Sequence, residues 1–106
     1  MEEDLRVVTL GRQVTITEVE SQGAELSQAF SASRKVLVKL SHVERMDLSG
    51  VQLLYAARKE ARERGTSLHL TGTVPDAVRE TLKAGGFVAE APADAGELES
   101  VLLDFE

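Results

Sequence analysis

The sequence contains no cysteine among its 106 residues. Disulfides, thiol nucleophiles and cysteine-ligated metals are therefore excluded, which is consistent with an intracellular protein. No apolar run approaches the roughly 20 residues that a helix needs to cross a bilayer. Three of the first four residues, Glu2, Glu3 and Asp4, are acidic, whereas a secretory signal begins with a basic stretch. We expect a cytoplasmic protein without a membrane-spanning segment.

Basic residues are scarce, since 12 lysines and arginines stand against 18 acidic residues and the formal net charge is −6. A surface with this excess of negative charge repels nucleic-acid phosphates and anionic lipid. We therefore expect no direct nucleic-acid partner and no membrane partner. A protein partner with a basic patch is favoured instead.

The motifs of catalysis and cofactor binding are missing. The glycines form neither a GxGxxG pattern nor a phosphate-binding loop. His42 and His69 are the only histidines, and their spacing is not that of a metal site. Asp47 could act as a general base for Ser49, but a hydrolase also needs an orienting group and an oxyanion site. The sequence predicts no catalytic residue, cofactor or metal, and an enzyme is the least favoured class.

Hydrophobic residues make up 42% of the chain, which is sufficient for one core and predicts a single domain over residues 1–106. Strand patterns over residues 5–10 and 13–17 flank Gly11-Arg12, which is typical of a hairpin turn. The two strands are then antiparallel. In the second strand, Val14 and Ile16 are expected to face the same side.

Helices and strands alternate through the rest of the chain. The expected elements are a helix from about Ser21 to residue 32, a strand over 35–40, a helix over 49–64, a strand over 67–70, a helix opened by Pro75 and ended by Gly85-Gly86, a short strand at Phe87 and Val88, and a helix over 94–105. This order predicts an α/β fold with a mixed, mainly parallel sheet of four to five strands, an N-terminal antiparallel hairpin and about four helices.

The most apolar strand and the most regular helix meet at the segment Ser41–Gly50. The run from Val36 to Leu40 suits a strand covered on both faces. Functional residues of open α/β sheets gather where such strands end and helices begin. Ser49 and Gln52 have the spacing of a capping box, so Ser49 is expected to be the N-cap of the following helix. A purely structural cap and an accessible, modifiable hydroxyl are both compatible with this pattern.

The stretch "VLVKLSHVERMDLSG" from Val36 to Gly50, continued by "VQLLYAARKEARERGTSLHLTG", resembles the STAS family of anti-sigma-factor antagonists. In that family an apolar strand leads to an Asp-x-Ser/Thr-Gly motif at the start of a helix. The pairs Thr71-Gly72 and Gly86-Phe87 also fit the family pattern. The resemblance covers nearly the whole chain and is most specific over residues 36–72. It implies a STAS fold.

The resemblance further implies a regulatory function. Asp47 matches the motif aspartate, and Ser49 matches the serine that is phosphorylated in sporulation and stress-response antagonists. Such proteins bind a serine kinase that is also an anti-sigma factor, and phosphorylation of the serine ends binding. The expected protein is a signal-transduction module that regulates transcription through its partner, as a monomer or weak homodimer. The expected partner-binding residues are His42, Glu44, Asp47, Leu48, Ser49, Gly50, Thr71 and Gly72.

Two positions depart from the family pattern. Leu48 follows the motif aspartate where Ser or Thr is common, and Lys39 stands where the strand commonly carries Asp. Stand-alone members also occur beside chemotaxis kinases and as accessory subunits of lipid-transport ATPases. The alternative function is therefore a constitutive STAS subunit of such a complex, in which Ser49 is not phosphorylated.

Overall fold

Eight helices and strands are present in the part of the chain that the computed structural model describes, which is residues 5–85 together with Leu98. They are β1 (Leu5–Thr9), β2 (Gln13–Val14), α1 (Val19–Ala32), β3 (Lys35–Lys39), β4 (Arg45–Met46), α2 (Leu48–Arg64), β5 (Ser67–Thr71) and α3 (Asp76–Ala84). The α/β architecture with parallel strands agrees with the expected fold class. The expected single sheet of four to five strands is not found, because the described strands form a three-stranded and a separate two-stranded sheet, and three of the expected four helices lie in the described elements.

The main sheet consists of three parallel strands in the order β1-β3-β5. Alternate residues of these strands point to its inner face, where they are buried: Val8, Val36, Val38, Leu68 and Leu70. Helix α1 lies against β1 and β3, and α2 lies against β5. Parallel strands need such crossover helices, because a tight turn cannot join them.

The outer face of the main sheet is different, and the expectation that β3 is covered on both faces is wrong for the described residues. Leu37 is only half-buried there, and its neighbours along the strand, Lys35 and Lys39, are exposed. The alternation of side chains along a strand explains this, because the two lysines and Leu37 share one face and the two valines share the other.

The N-terminal hairpin is a second correction. Strand β2 pairs in parallel with β4 in a separate two-stranded sheet, and β1 pairs with β3. The backbone carbonyl of Arg12 accepts bonds from the amides of Glu44 and Arg45, at 2.7 and 2.9 Å. Gly11-Arg12 therefore carries the chain from one sheet to the other instead of folding β2 back onto β1.

Other element boundaries lie close to expectation. Helix α1 begins at Val19, two residues before Ser21, and α2 begins at Leu48, one residue before Ser49. Helix α3 has Pro75 as its N-cap and Gly85 as its C-cap. The expected strand at residues 87–88 lies outside the described residues. So does the helix at 94–105, apart from Leu98, which is helical and fully buried.

Among the described helices, none combines the length and the apolar character required to cross a membrane.

Gly50 allows the first turn of α2 to lie directly on the second sheet. A Cβ atom at this position would be 2.6 Å from both Met46 Cγ and the carbonyl oxygen of Val14. Real Cβ atoms do not approach other atoms so closely, and a backbone oxygen cannot move aside as a flexible side chain can. Only glycine therefore fits between α2 and the β2–β4 pair.

We predict that Gly50→Ala lowers the free energy of unfolding by about 1–3 kcal/mol, because the added methyl group overpacks this contact. Gly23→Ala in α1 is the matched control, since its Cβ would meet only the terminal methyl of Leu53, at 3.3 Å. It should be neutral or stabilising by up to about 1 kcal/mol from helix propensity. Urea unfolding followed by far-UV circular dichroism measures both, and equal effects of the two substitutions would contradict the packing argument.

Candidate functional site

The carboxylate of Asp47 joins the start of α2 to the loop after β2. One oxygen, Oδ1, accepts a hydrogen bond from the Gly50 amide at 3.3 Å, and Oδ2 accepts one from the Ile16 amide at 3.0 Å. The Asp47 backbone is extended, as is usual for an N-cap residue. We call this pair of bonds the Asp47 clamp.

Asp47 is therefore the N-cap of α2, and the expectation that Ser49 caps the helix is wrong. Ser49 is the second residue of α2, so its predicted capping box with Gln52, which requires Ser49 at the N-cap position, does not form. Aspartate and serine are both good caps. Here Asp47 takes the position because its two carboxylate oxygens can satisfy an amide of the helix and an amide of the neighbouring loop together.

Ser49 is half-buried in the first turn of α2. Within the described part of the chain, no residue hydrogen-bonds to its hydroxyl. The residue lines a groove of about 390 Å³ between α1 and α2, whose other walls are formed by Ile16, Val19, Glu20, Gln52, Leu53 and Ala56. The hydroxyl thus lies at a helix N-terminus, where the backbone dipole favours negative charge.

Two large apolar side chains are exposed beside Ser49. Ile16 is 70% exposed and Leu48 is 50% exposed. Alternation along a strand predicted that Ile16 faces the same side as Val14, which is fully buried. This prediction is wrong, because β2 ends at Val14 and residues 15–18 form a turn. In this turn Glu18 accepts bonds from the amide and hydroxyl of Thr15. Sequence reasoning missed Ile16 as a site residue, and the Thr15-x-x-Glu18 spacing was the signal that could have found it.

A second groove of about 660 Å³ lies between the β2–β4 sheet and α3. Glu44, Asp47 and Glu80 line it together with Arg45, so its acidic side chains outnumber its basic one. Its floor is held in place by the Thr81 hydroxyl, which donates to the backbone carbonyl of Met46 at 2.7 Å. Ile16 also lines this groove, and the exposed Ile16 therefore separates the two grooves.

The remaining predicted site residues lie at the ends of β3 and β5. His42 is exposed in the turn after β3. The carbonyl of Thr71 accepts a bond from the Leu40 amide at 3.3 Å. Gly72 has a positive φ of 91°, and a side chain at this position would point toward Ser41. The structure thus brings Asp47, Leu48, Ser49 and Gly50 together with Ile16. Among the described contacts, none joins Thr71 or Gly72 to Ser49.

No cluster of three or more histidine, aspartate or glutamate side chains suited to a metal ion occurs over residues 5–85. Acidic side chains at the site instead accept hydrogen bonds from backbone amides, as Asp47 does, or point to solvent. Glu44 is an exposed example, 3.7 Å from the similarly exposed Arg12. Such an exposed pair contributes little to stability.

We predict that Asp47→Ala lowers the free energy of unfolding by about 1–3 kcal/mol, because both bonds of the Asp47 clamp are lost. Asp47→Asn keeps one acceptor oxygen and should cost less. Asp76→Asn, at the almost fully exposed first position of α3, is the matched control and should change stability by less than about 0.5 kcal/mol. Chemical denaturation checks the order, and an Asp47→Ala protein as stable as the control would show that the clamp contributes nothing.

Comparison with solved structures supports the fold. The unphosphorylated form of the anti-sigma factor antagonist SpoIIAA matches with a TM-score of 0.63 and 22% identity, over 81% of this chain and 76% of that chain. The phosphorylated form of the Bacillus cell fate determinant SpoIIAA matches with a TM-score of 0.61, 22% identity, and coverage of 81% and 78%. The STAS domain of a SulP transporter from Vibrio cholerae matches with a TM-score of 0.57 and 19% identity, over 99% and 86%.

Sequence comparison identifies the family. No curated protein sequence gives a significant match to the chain. The family model described as "Mlab, STAS domain" matches residues 2–89, which include every described helix and strand. With most of its length matched by that model, this protein is a member of the STAS domain family.

Proposed function

We propose that this protein is a regulatory interaction module of the anti-sigma-factor antagonist type, which binds a partner kinase or anti-sigma factor and is released by phosphorylation of Ser49. The observation that carries this proposal is the placement of Ser49. Its hydroxyl has no hydrogen-bond partner among the described residues and lies beside the exposed side chains of Ile16 and Leu48. A modification at this point would change a surface without breaking an internal bond.

The physics of a phosphate at Ser49 supports release without unfolding. The phosphate would add roughly −1.5 to −2 charges. The N-terminal turn of α2 favours negative charge, so the helix should persist. At the surface, the phosphate would place a strongly hydrated dianion next to Ile16 and Leu48. Burying that dianion against a partner's apolar surface is costly, and the carboxylates of Asp47 and of Glu20, which lines the same groove as Ser49, add repulsion.

Two structures of one structural relative, SpoIIAA, support this regulation by analogy. SpoIIAA is an anti-sigma factor antagonist that is known in unphosphorylated and phosphorylated forms. The fold similarity and the Asp47-Leu48-Ser49-Gly50 motif together suggest the same kind of partner for this protein. The proposed function requires contact and no chemistry by the protein itself, so we propose a cytoplasmic, non-enzymatic phosphoprotein.

The proposed interface is centred on Ile16 and Leu48. Asp47, Ser49 and Gly50 supply the rigid backbone beneath these side chains, and Glu44 provides negative charge at the rim for a basic partner. His42, Thr71 and Gly72 would form its outer border, through the turn at Ser41. Exposed apolar side chains surrounded by polar groups are typical of the energetic centre of a protein–protein interface.

A second candidate is a constitutive subunit of a signalling or transport complex, in which Ser49 stays unmodified. The family model carries the description "Mlab, STAS domain", and one structural relative is the STAS domain of a SulP transporter. Leu48 favours this alternative, because its apolar side chain immediately before Ser49 suits a permanent contact. Incubation with the cognate kinase and ATP, followed by intact mass measurement, separates the two candidates. Transfer of one phosphate that is absent from Ser49→Ala supports the switch, and no transfer supports the constitutive subunit.

We predict that Ser49→Asp weakens binding to the partner kinase at least tenfold and leaves the circular dichroism spectrum native. The added charge lies in the interface and also at a helix N-terminus that tolerates it. Ser67→Asp is the matched control, because Ser67 is exposed at the start of β5, whereas the proposed interface lies at the other end of that strand, at Thr71. Isothermal titration calorimetry measures the affinity. Undiminished binding by Ser49→Asp would rule out the switch.

We also predict that Ile16→Ser and Leu48→Ser each weaken partner binding about tenfold or more, which corresponds to about 1.4 kcal/mol. Stability should change by less than about 0.5 kcal/mol, since both side chains are exposed already. Val7→Ser is the matched control, because Val7 is 53% exposed, close to the 50% of Leu48, but lies on the outer face of the main sheet. If Val7→Ser impaired binding as much as the other two, the interface would have been placed on the wrong surface.

A further inference from the structure

The outer face of the main sheet carries the other large apolar side chains that are exposed in the described chain. Leu5 is 39% exposed and Val7 is 53% exposed, and both lie on β1. Leu37 on the neighbouring β3 is half-buried and is in register with Val7. The interface proposed around Ser49, Ile16 and Leu48, which we call the Ser49 surface, does not include these residues, because α2 packs on the inner side of the sheet. They therefore need a separate explanation.

The strand register arranges this outer face as three rows of three residues. The rows are Leu5-Lys35-Ser67, Val7-Leu37-His69 and Thr9-Lys39-Thr71. Leu37 is at the centre, with Lys35 and Lys39 before and after it on the same strand. Parallel sheets are normally covered on both faces, yet the described helices α1 and α2 contact the strands from the inner side. Seven of the nine outer residues are exposed.

The charge of this face is opposite to that of the whole chain. Lys35 and Lys39 are exposed, and none of the nine outer residues carries a carboxylate, although the chain has a net charge of −6. An occupant that covers Val7 and Leu37 must present apolar side chains. If this occupant also lies between Lys35 and Lys39, carboxylates at its edges would favour binding, because they would face the two positive charges.

The dimensions of the face fit one α-helix. Three strands are about 10 Å wide from the first to the third, which is close to the diameter of a helix with its side chains. Lys35 and Lys39 are about 13 Å apart along the strand. Acidic residues seven or eight positions apart on a helix are separated by about 10–12 Å, which flexible lysine side chains can match.

We infer that the outer face of the main sheet is a second docking surface, which binds an acidic amphipathic helix of a partner protein. The helix places its apolar stripe over Val7 and Leu37 and its carboxylates beside Lys35 and Lys39. The inference is independent of Ser49 phosphorylation, since the two surfaces lie on opposite sides of the main sheet.

The test uses a synthetic helical peptide of about four turns. Its leucines follow i, i+3, i+4, i+7 spacing, and its glutamates lie seven positions apart on either side of that stripe. A peptide with lysine in place of each glutamate is the control. Binding to the full chain is measured by fluorescence anisotropy, and the site is located from amide chemical shifts. We expect the acidic peptide alone to bind and to shift residues 5–9 and 35–39.

The charge requirement is tested by reversing it. The double variant Lys35→Glu/Lys39→Glu should bind the acidic peptide at least tenfold more weakly, whereas Lys59→Glu, an exposed lysine on α2, should bind normally. If the charge-reversed protein folds poorly, Lys35→Gln/Lys39→Gln serves in its place and should show a smaller loss in the same direction.

Four outcomes would overturn the inference. They are absence of binding, equal binding of the lysine peptide, chemical shifts confined to residues 47–53, and binding that is unaffected in the double variant.

Two further measurements test other occupants. The first measures binding to phosphatidylglycerol vesicles. If the vesicles bind through the same lysines and more tightly than the peptide, the occupant is a lipid surface and not a helix. Self-association in sedimentation equilibrium that the double variant abolishes would make it a second copy of the chain.

Discussion

One carboxylate, that of Asp47, fixes the geometry on which the candidate site depends. It caps α2 through the Gly50 amide and holds the Ile16 amide of the neighbouring loop. If Ser49 were the cap, the serine oxygen would be needed to satisfy the helix, and its modification would weaken the fold. Because Asp47 does this instead, the Ser49 hydroxyl is released from a structural role. The separation of the two roles permits the proposed modification without loss of the helix.

Gly50 adds a steric constraint to this hydrogen-bonding one. The first turn of α2 contacts the backbone of β2 and the side chain of Met46, where no Cβ atom fits. The first turn of α2 is therefore held close against the second sheet, and the Asp47 clamp holds the loop that carries Ile16. Ile16 and Leu48 are exposed beside this contact, whereas Val14 and Val51 are fully buried. Rigid presentation of apolar side chains lowers the entropic cost of binding a partner.

Much of this architecture could be predicted from the sequence, for identifiable reasons. Helices α2 and α3 have continuous apolar periodicity and strong end signals, namely Gly65 with φ 74° after α2 and Pro75 before α3. Strand β3 contains an apolar run, β5 alternates polar and apolar residues, and each lies between two helices. The hairpin prediction failed because period-2 patterns show that β1 and β2 are strands but do not identify their partners. Strand β4 was missed because two residues carry no periodicity.

The cap and the exposed isoleucine show a subtler limit of sequence patterns. Asp47 and Ser49 are two residues apart, and both are preferred caps, so composition could not choose between them. The choice depends on Ile16, a residue 31 positions from Asp47, whose amide donates to the Asp47 carboxylate. Ile16 itself was expected to face the same side as Val14, but a turn that ends β2 early leaves it exposed. Long-range hydrogen bonds of this kind decide the site, and no local window contains them.

The distribution of exposed apolar residues indicates how the two surfaces could work together. The four large apolar side chains that are exposed in the described chain form two pairs, Ile16 with Leu48 and Leu5 with Val7. One pair surrounds a serine at a helix N-terminus, and the other lies on the far side of the main sheet between lysines. The sheet and its inner helices separate them, and solvent screens phosphate charge at Ser49 from groups on the other side. A partner on the outer face could therefore stay bound while the Ser49 surface changes its occupant. A small domain with one switchable and one constant contact can serve as an adaptor, and the two candidate functions then need not exclude each other.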